Sequence, residues 1–273
     1  ISHLNTALTL DSSKVALQNL YLTTNFSTIR GNVNADASIL KQNQYANITA
    51  NVNASLSLLD APYFLPSISE TIPLLPTNVI NASLKVDGYM ANIHLKELSL
   101  SIPDNAQIKM SGDIAHLTDG RPLKARLNMQ GELIRGSLLQ SFIAPKDSSS
   151  IIIPDNIALN ANIDMRGDSV TTNMNICVLE GSIALNGGVN IKDEKYNMNL
   201  LVNKFPLNDF LRDIHIGDIT TTLKAEGEKF NPLQEGAKSK LSMELDTLLY
   251  NQYSYDNIYI LLSLSQGNYY GSI

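Results

Sequence analysis

Between Ile80 and Gly88 every even position is apolar or small (Ile80, Ala82, Leu84, Val86, Gly88), and every odd one is polar (Asn81, Ser83, Lys85, Asp87). A period of two is the period of a β-strand with one dry face and one wet face, because successive side chains leave opposite sides of the pleat. The same design returns at 154–167 (PDNIALNANIDMRG) and at 217–227 (GDITTTLKAEG). Weaker versions run through 27–40, 46–59, 106–114, 122–133, 170–179, 181–192, 196–203, 240–249 and 255–265. Short turn signals separate them, among them DSSK (11–14), TDGRP (118–122), KDEK (192–195) and NQYS (251–254). Links this short join antiparallel neighbours, since a parallel pair needs a crossover of about a dozen residues. The expected fold is all-β, an elongated curved antiparallel sheet.

Three stretches break the alternation: 60–68 (DAPYFLPSI), 135–145 (RGSLLQSFIAP) and 205–214 (FPLNDFLRDI). Each places apolar residues at helical spacing beside a proline, which predicts helices of one or two turns at the sheet rim. The unit is then about four strands and one short helix, repeated over 1–68, 69–145, 146–215 and, in part, 216–273. No composition shift or linker divides these repeats, so one continuous array is expected, cut from a longer protein.

The apolar positions of the alternating stretches share one face. In the first half they are Ile48, Val52 and Leu56, then Ile80, Leu84 and Val86, then Ile108 and Met110, then Leu127 and Met129. In the second half they are Leu159, Ile163 and Met165, then Ile176 and Val178, then Ile183, Leu185, Val189 and Ile191. Met198 and Leu200, Leu223, Met243, and Ile258, Ile260 and Leu262 complete the set. A sandwich would cover such a face with a second sheet, but it would not explain a helix recurring every four strands. A sheet that curls without closing leaves the face as a trough, and exposed apolar surface of that extent calls for a partner. An acyl chain fits: hydrocarbon gains about 0.8 kcal/mol per buried methylene, and no polar recognition is needed.

Composition narrows the alternatives. A net charge of −6 argues against nucleic acid and against an anionic membrane surface. No apolar run is long enough for a membrane span within the segment. The four histidines (His3, His94, His116, His215) are far apart, so neither a metal site nor another cofactor is expected. Nucleophile and phosphate-loop motifs are missing, and the acid pairs Asp193/Glu194 and Glu226/Glu228 read as solvated turns, so no catalysis is expected. Cys177 reads as an inert core thiol, and Gly187-Gly188 as a bulge or bend. Pro-Asp-Asn at 103–105 and 154–156 reads as a turn. The N-x-S/T triplets beginning at Asn25, Asn47, Asn53 and Asn81 follow from alternation itself. Six tyrosines between Tyr250 and Tyr270 suggest the filling of a groove end or of a cut sheet edge or, on a second reading, the stacking of sugars or bases.

The run Tyr63-Phe64-Leu65-Pro66-Ser67, a proline-flanked linker, and then Asn81–Gly88 (NASLKVDG) with further amphipathic strands resembles the AsmA-like superfamily, most closely its TamB-type members of Gram-negative bacteria. The resemblance extends over essentially the whole chain and rests on the order of elements. It implies a periplasmic segment of a protein anchored in the inner membrane, whose taco-like hydrophobic groove shields phospholipid acyl chains in transit between the two membranes. It equally implies a scaffold for insertion of outer-membrane barrels or autotransporters with an Omp85-type partner, through regions outside this segment. The residues alone keep a third reading open, an extracellular β-rich adhesin or carbohydrate-binding module.

Overall fold

In the computed structural model the described residues are 1–60, 79–140, 151–211, 216–231, 234–265 and 268–272. The chain divides into two compact units, Ile1–Phe142 and Ile143–Ile273. The first contains β1 (His3–Leu10), β2 (Lys14–Thr23), β3 (Thr28–Asp36), β4 (Asn47–Ser57), β5 (Val79–Tyr89), β6 (Asn92–Ile102), β7 (Ala106–Ala115) and β8 (Lys124–Leu133). The second contains β9 (Ile157–Arg166), β10 (Ser169–Val178), β11 (Gly181–Asn190), β12 (Lys195–Pro206), β13 (Ile216–Glu228), β14 (Lys238–Tyr250), β15 (Tyr253–Ser265) and β16 (Asn268–Ser272). The fold is all-β, and within each unit every strand pairs antiparallel with its chain neighbour. Strand order equals chain order, so each unit is an open meander.

Turn chemistry explains why the chain reverses where it does. Between β1 and β2 the Asp11 carboxylate accepts hydrogen bonds from the Ser13 and Lys14 amides at 2.7 and 2.8 Å, a side-chain-closed turn. Between β6 and β7 the Pro-Asp-Asn sequence forms the expected turn, with Asp104 at φ 59° and the buried Asn105 donating to the Pro103 carbonyl at 2.7 Å. A buried polar cluster fixes the end of β4. The Thr24 and Ser27 hydroxyls both donate to Asp60, while the Ser57 amide donates to the Ser27 hydroxyl at 2.9 Å.

Two α-helical turns are described, α1 (Ser137–Gln140) and α2 (Leu207–Phe210). Both fall inside stretches expected to be helical. Leu138 of α1 is buried, and Phe210 of α2 stacks on Phe205 with ring centroids 4.8 Å apart. The stretch 61–68, including the Tyr63–Ser67 run, lies outside the described residues, as do 141–145 and 212–214. One element departs from the sequence pattern. Alternation predicts strand to Leu40, yet β3 ends at Asp36 and a 3-10 helix occupies Ala37–Lys41, closed by Gln42 in the left-handed region. Alternation here runs past the strand's end, since Ala37, Ser38 and Ile39 suit one tight turn as well as a strand.

Gly187 and Gly188 form no bulge. Strand β11 keeps unbroken register with both neighbours. Gly187 instead marks a close approach, for a Cβ there would stand 2.6 Å from the Asn197 carbonyl oxygen. Register shifts fall elsewhere, among them at Leu17/Leu20, at Leu95/Leu98 and at Val202/Phe205.

Candidate functional site: the apolar faces

Register converts the alternation into surfaces, because directly paired residues point to the same side of a sheet. In the first unit Gly31, Val52, Leu84, Leu98, Met110 and Met129 are successive partners from β3 to β8. Beside them run Val33, Ala50, Val86, Leu95, Gly112 and Leu127. A third row is Ile29, Ala54, Ala82, Leu100, Ile108 and Gly131. Ile48 pairs with Gly88, and Leu56 with Ile80, on the same side. All the positions expected to share a face in this unit do share it.

The second unit repeats the arrangement. Met174, Leu185, Leu200, Leu223, Met243 and Ile260 are successive partners from β10 to β15. Ile176, Ile183, Val202, Thr221, Leu245 and Ile258 form the next row, and Leu159 pairs with Ile176 at its start. Ile163 opens a row that includes Met198 and Leu262, while Met165 opens one that includes Val189. Val178 pairs with Ile157. Three hydroxyl residues interrupt the apolar character. Thr221 donates to the Glu244 carbonyl at 2.8 Å and Thr172 to that of Asn162 at 3.3 Å, so each satisfies itself within the sheet; the third is Ser239.

Burial separates these faces from a packed core. The buried Leu, Val and Ala side chains of β6 to β15, including Leu95, Ala161, Val178, Val202, Leu245 and Leu264, all stand on the apolar side. Val178 is the one large side chain that is almost completely sealed among the described residues. Most of their neighbours are half-buried, and Leu100, Ile108, Met198 and Leu262 remain 40–44% exposed. A second sheet pressed against them would seal such residues, as in a sandwich core. Four local cavities, of about 760, 520, 500 and 300 Å3, are lined chiefly by residues of polar-face register.

Some expectations need correction. Ile191 follows β11 and sits in the turn, 58% exposed, its amide donating to the Asp168 carbonyl at 2.8 Å, so it does not belong to the face. Cys177 is half-buried on the polar side, paired with Ala158 and Ser182, and its sulfur accepts from Asn175 at 3.3 Å; it is not a core thiol. Glu226 and Glu228 are strand residues of β13, facing Lys240 at 3.9 Å and Lys195 at 3.1 Å across the sheet. Glu194 lies in a turn as expected and pairs with Lys229 at 2.9 Å.

Alternation alone does not reveal every member of the faces. Leu98 escapes it because Leu95 and Leu98 are an odd number of residues apart. The bulge at Lys96 inserts one residue and restores the parity, with the Lys96 ammonium 2.5 Å from Asp87. Met174 has the right parity but stands between polar neighbours, where a single apolar residue gives a weak signal.

The polar sides carry complementary cross-strand pairs. Lys85 meets Glu97 at 2.6 Å, which lowers the Glu97 pKa, and Lys195 lowers that of Glu228 in the same way. At the β7–β8 turn the Arg121 guanidinium, with His116 assisting, holds the Asp119 carboxyl well below the usual carboxylate range. Among the described residues no group of three or more His, Cys, Asp and Glu side chains could hold a metal. No described helix is long and apolar enough to cross a membrane. Comparison with protein-family models, with curated proteins and with solved structures finds no match to this chain.

Proposed function

We propose that this chain is the groove segment of a bridge-like lipid-transfer protein of the AsmA-like, TamB type, acting in the periplasm to shield phospholipid acyl chains between the inner and outer membranes. One observation carries the reading: in each unit, successive strands align mostly apolar side chains into rows that water still reaches. Rows two residues apart lie about 7 Å from one another and strands about 4.8 Å, so each face is a broad aliphatic surface. An acyl chain of about sixteen carbons gains roughly 12 kcal/mol when fully withdrawn from water, so even partial cover is a substantial driving force. Aliphatic and thioether side chains offer that cover without fixing the ligand in one place, which suits a conduit better than a catalyst.

The test is photocrosslinking in cells from Leu84, Leu185 and Ile163, with a polar-face position such as Asn53 as the comparison. Phospholipid adducts from the first three and not from Asn53 are expected. Solvent quenching alone at the three apolar positions overturns the proposal.

A further inference from the structure

The polar side of the second unit has a shape of its own. Three cavities of about 760, 500 and 300 Å3 adjoin there: the first and second share Asn197, Glu226 and Lys240, and the first and third share Ser169 and Thr171. Together they form a furrow that crosses the strands. Along it Thr171, Gly188, Asn197, Glu226, Lys240 and Ser263 are successive partners from β10 to β15. At about 4.8 Å per strand these six positions extend roughly 24 Å.

Beside this row runs a ladder of asparagines, Asn162, Asn173, Asn186 and Asn199, that continues into Lys224 and Ser242. Each amide carries both donors and acceptors, so the ladder presents paired hydrogen-bonding groups at strand spacing. Two aromatic residues and the exposed Leu261 stand among the polar side chains at its far end. Tyr259, 54% exposed, lines the second cavity together with Leu261, and Tyr270, 60% exposed, pairs with Ser263. An exposed tyrosine on a wet face buries nothing in its own protein, yet it offers a flat apolar ring with a polar tip.

Charge adds a third constraint. Five cationic and three anionic side chains line the furrow, a local surplus of two in a chain of net charge −6. Lys224 makes no salt bridge among the described residues, and Lys238 stands opposite Glu228, whose closest cation is Lys195 at 3.1 Å. Hydrocarbon laid along the furrow would strip water from these charges, and a nucleic acid would carry one phosphate per nucleotide past Asp164, Glu226 and Glu228. A linear glycan with N-acetyl and spaced carboxylate groups matches each feature: hydroxyls and amides for the asparagine ladder, sugar faces for the tyrosines, carboxylates for the surplus of lysines. We infer that the polar face of the second unit binds such an acidic glycan, at a site separate from the apolar face.

The probe is fluorescent hyaluronan oligosaccharide titrated with the whole chain and followed by anisotropy. Uncharged chitin oligosaccharide and oligothymidylate of similar length serve as comparisons. Hyaluronan binding is expected to exceed both, and to weaken at least fivefold in Tyr259→Ala and in the Lys224→Glu/Lys238→Glu double variant. The apolar-face variant Leu84→Asp should bind hyaluronan like the parent, so loss of the lipid reading would leave this one standing. Absence of hyaluronan binding, equal binding of either comparison polymer, or indifference to the furrow substitutions overturns the inference.

Discussion

Leu84 on β5 stands directly opposite Leu98 on β6, and neither is sealed from water. Leu245, by contrast, is only 5% exposed on the corresponding face of the second unit. Truncation should register the difference. Leu245→Ala should cost about 2–4 kcal/mol and Leu84→Ala about 1 kcal/mol, because the transfer and cavity terms both scale with burial. Urea unfolding of the two variants measures it. Equal losses would mean that Leu84 is covered by protein after all.

Placing a charge on the open surface should separate folding from ligand capture. Leu84→Asp and Ile163→Asp leave the carboxylate access to solvent, so circular dichroism should be unchanged and stability reduced by about 1–2 kcal/mol. On the lipid proposal, native mass spectrometry should find phospholipid co-purifying with the parent and lost or strongly reduced in the variants. Undiminished lipid in both variants would remove these faces as the binding surface.

Gly112 tests a backbone constraint. It occupies φ 147°, and a Cβ there would stand 1.9 Å from the Arg126 carbonyl oxygen on the paired strand. Gly112→Ala must therefore shift β7 against β8 or strain the residue, at a cost of about 1–3 kcal/mol. The melting temperature should fall accordingly, whereas Gly120→Ala, with no atom within 4 Å of its Cβ, bears only the conformational penalty of φ 74° and should fall less.

The carboxylates give stability a direction in pH. Asp11, Glu97, Asp119 and Glu228 all have folded pKa values below their ordinary ones, with hydrogen bonds to Ser13, Lys85, Arg121 and Lys195 respectively as the leading causes. A depressed folded pKa contributes stability that is present above the unfolded value, near 4, and disappears as pH falls through the folded value. Stability should thus decline on acidification below about pH 4 and level off at higher pH. Asp119→Asn should flatten the lowest-pH part of that decline, as thermal melts across the acid range will show; an unaltered profile would mean that Asp119 is not coupled to folding.

Cys177 offers a chemical check on face assignment. Because it shares the polar side with Ser182 and is only half-buried, a small maleimide should label it in the native protein. A thiol in a sealed core would react only after denaturation.

Much of the fold is legible in the sequence because a period of two fixes parity, and parity fixes the face. Ile80, Leu84 and Val86 can be assigned together from nothing more than their spacing. Parity fails where one residue is inserted: the bulge at Lys96 separates Leu95 from Leu98, and the β3 pattern runs past Asp36 into a 3-10 turn. It fails again at strand ends, where Ile191 has the right parity but no strand beneath it. Glu226 and Glu228 mislead because flanking lysines resemble a solvated loop, whereas here Lys195 and Lys240 arrive from neighbouring strands. The furrow on the polar side is not legible, for it depends on the residue-by-residue register across six strands and on the missing side chain of Gly188.

That every strand bonds only to the strands next to it in the chain has a consequence for how such molecules change over generations. A duplicated hairpin can be spliced in at a reversal without breaking any distant pairing, and it brings its own share of slick surface with it. The breadth of the apolar face then becomes a matter of how many hairpins are repeated, while the pairing within each stays the same.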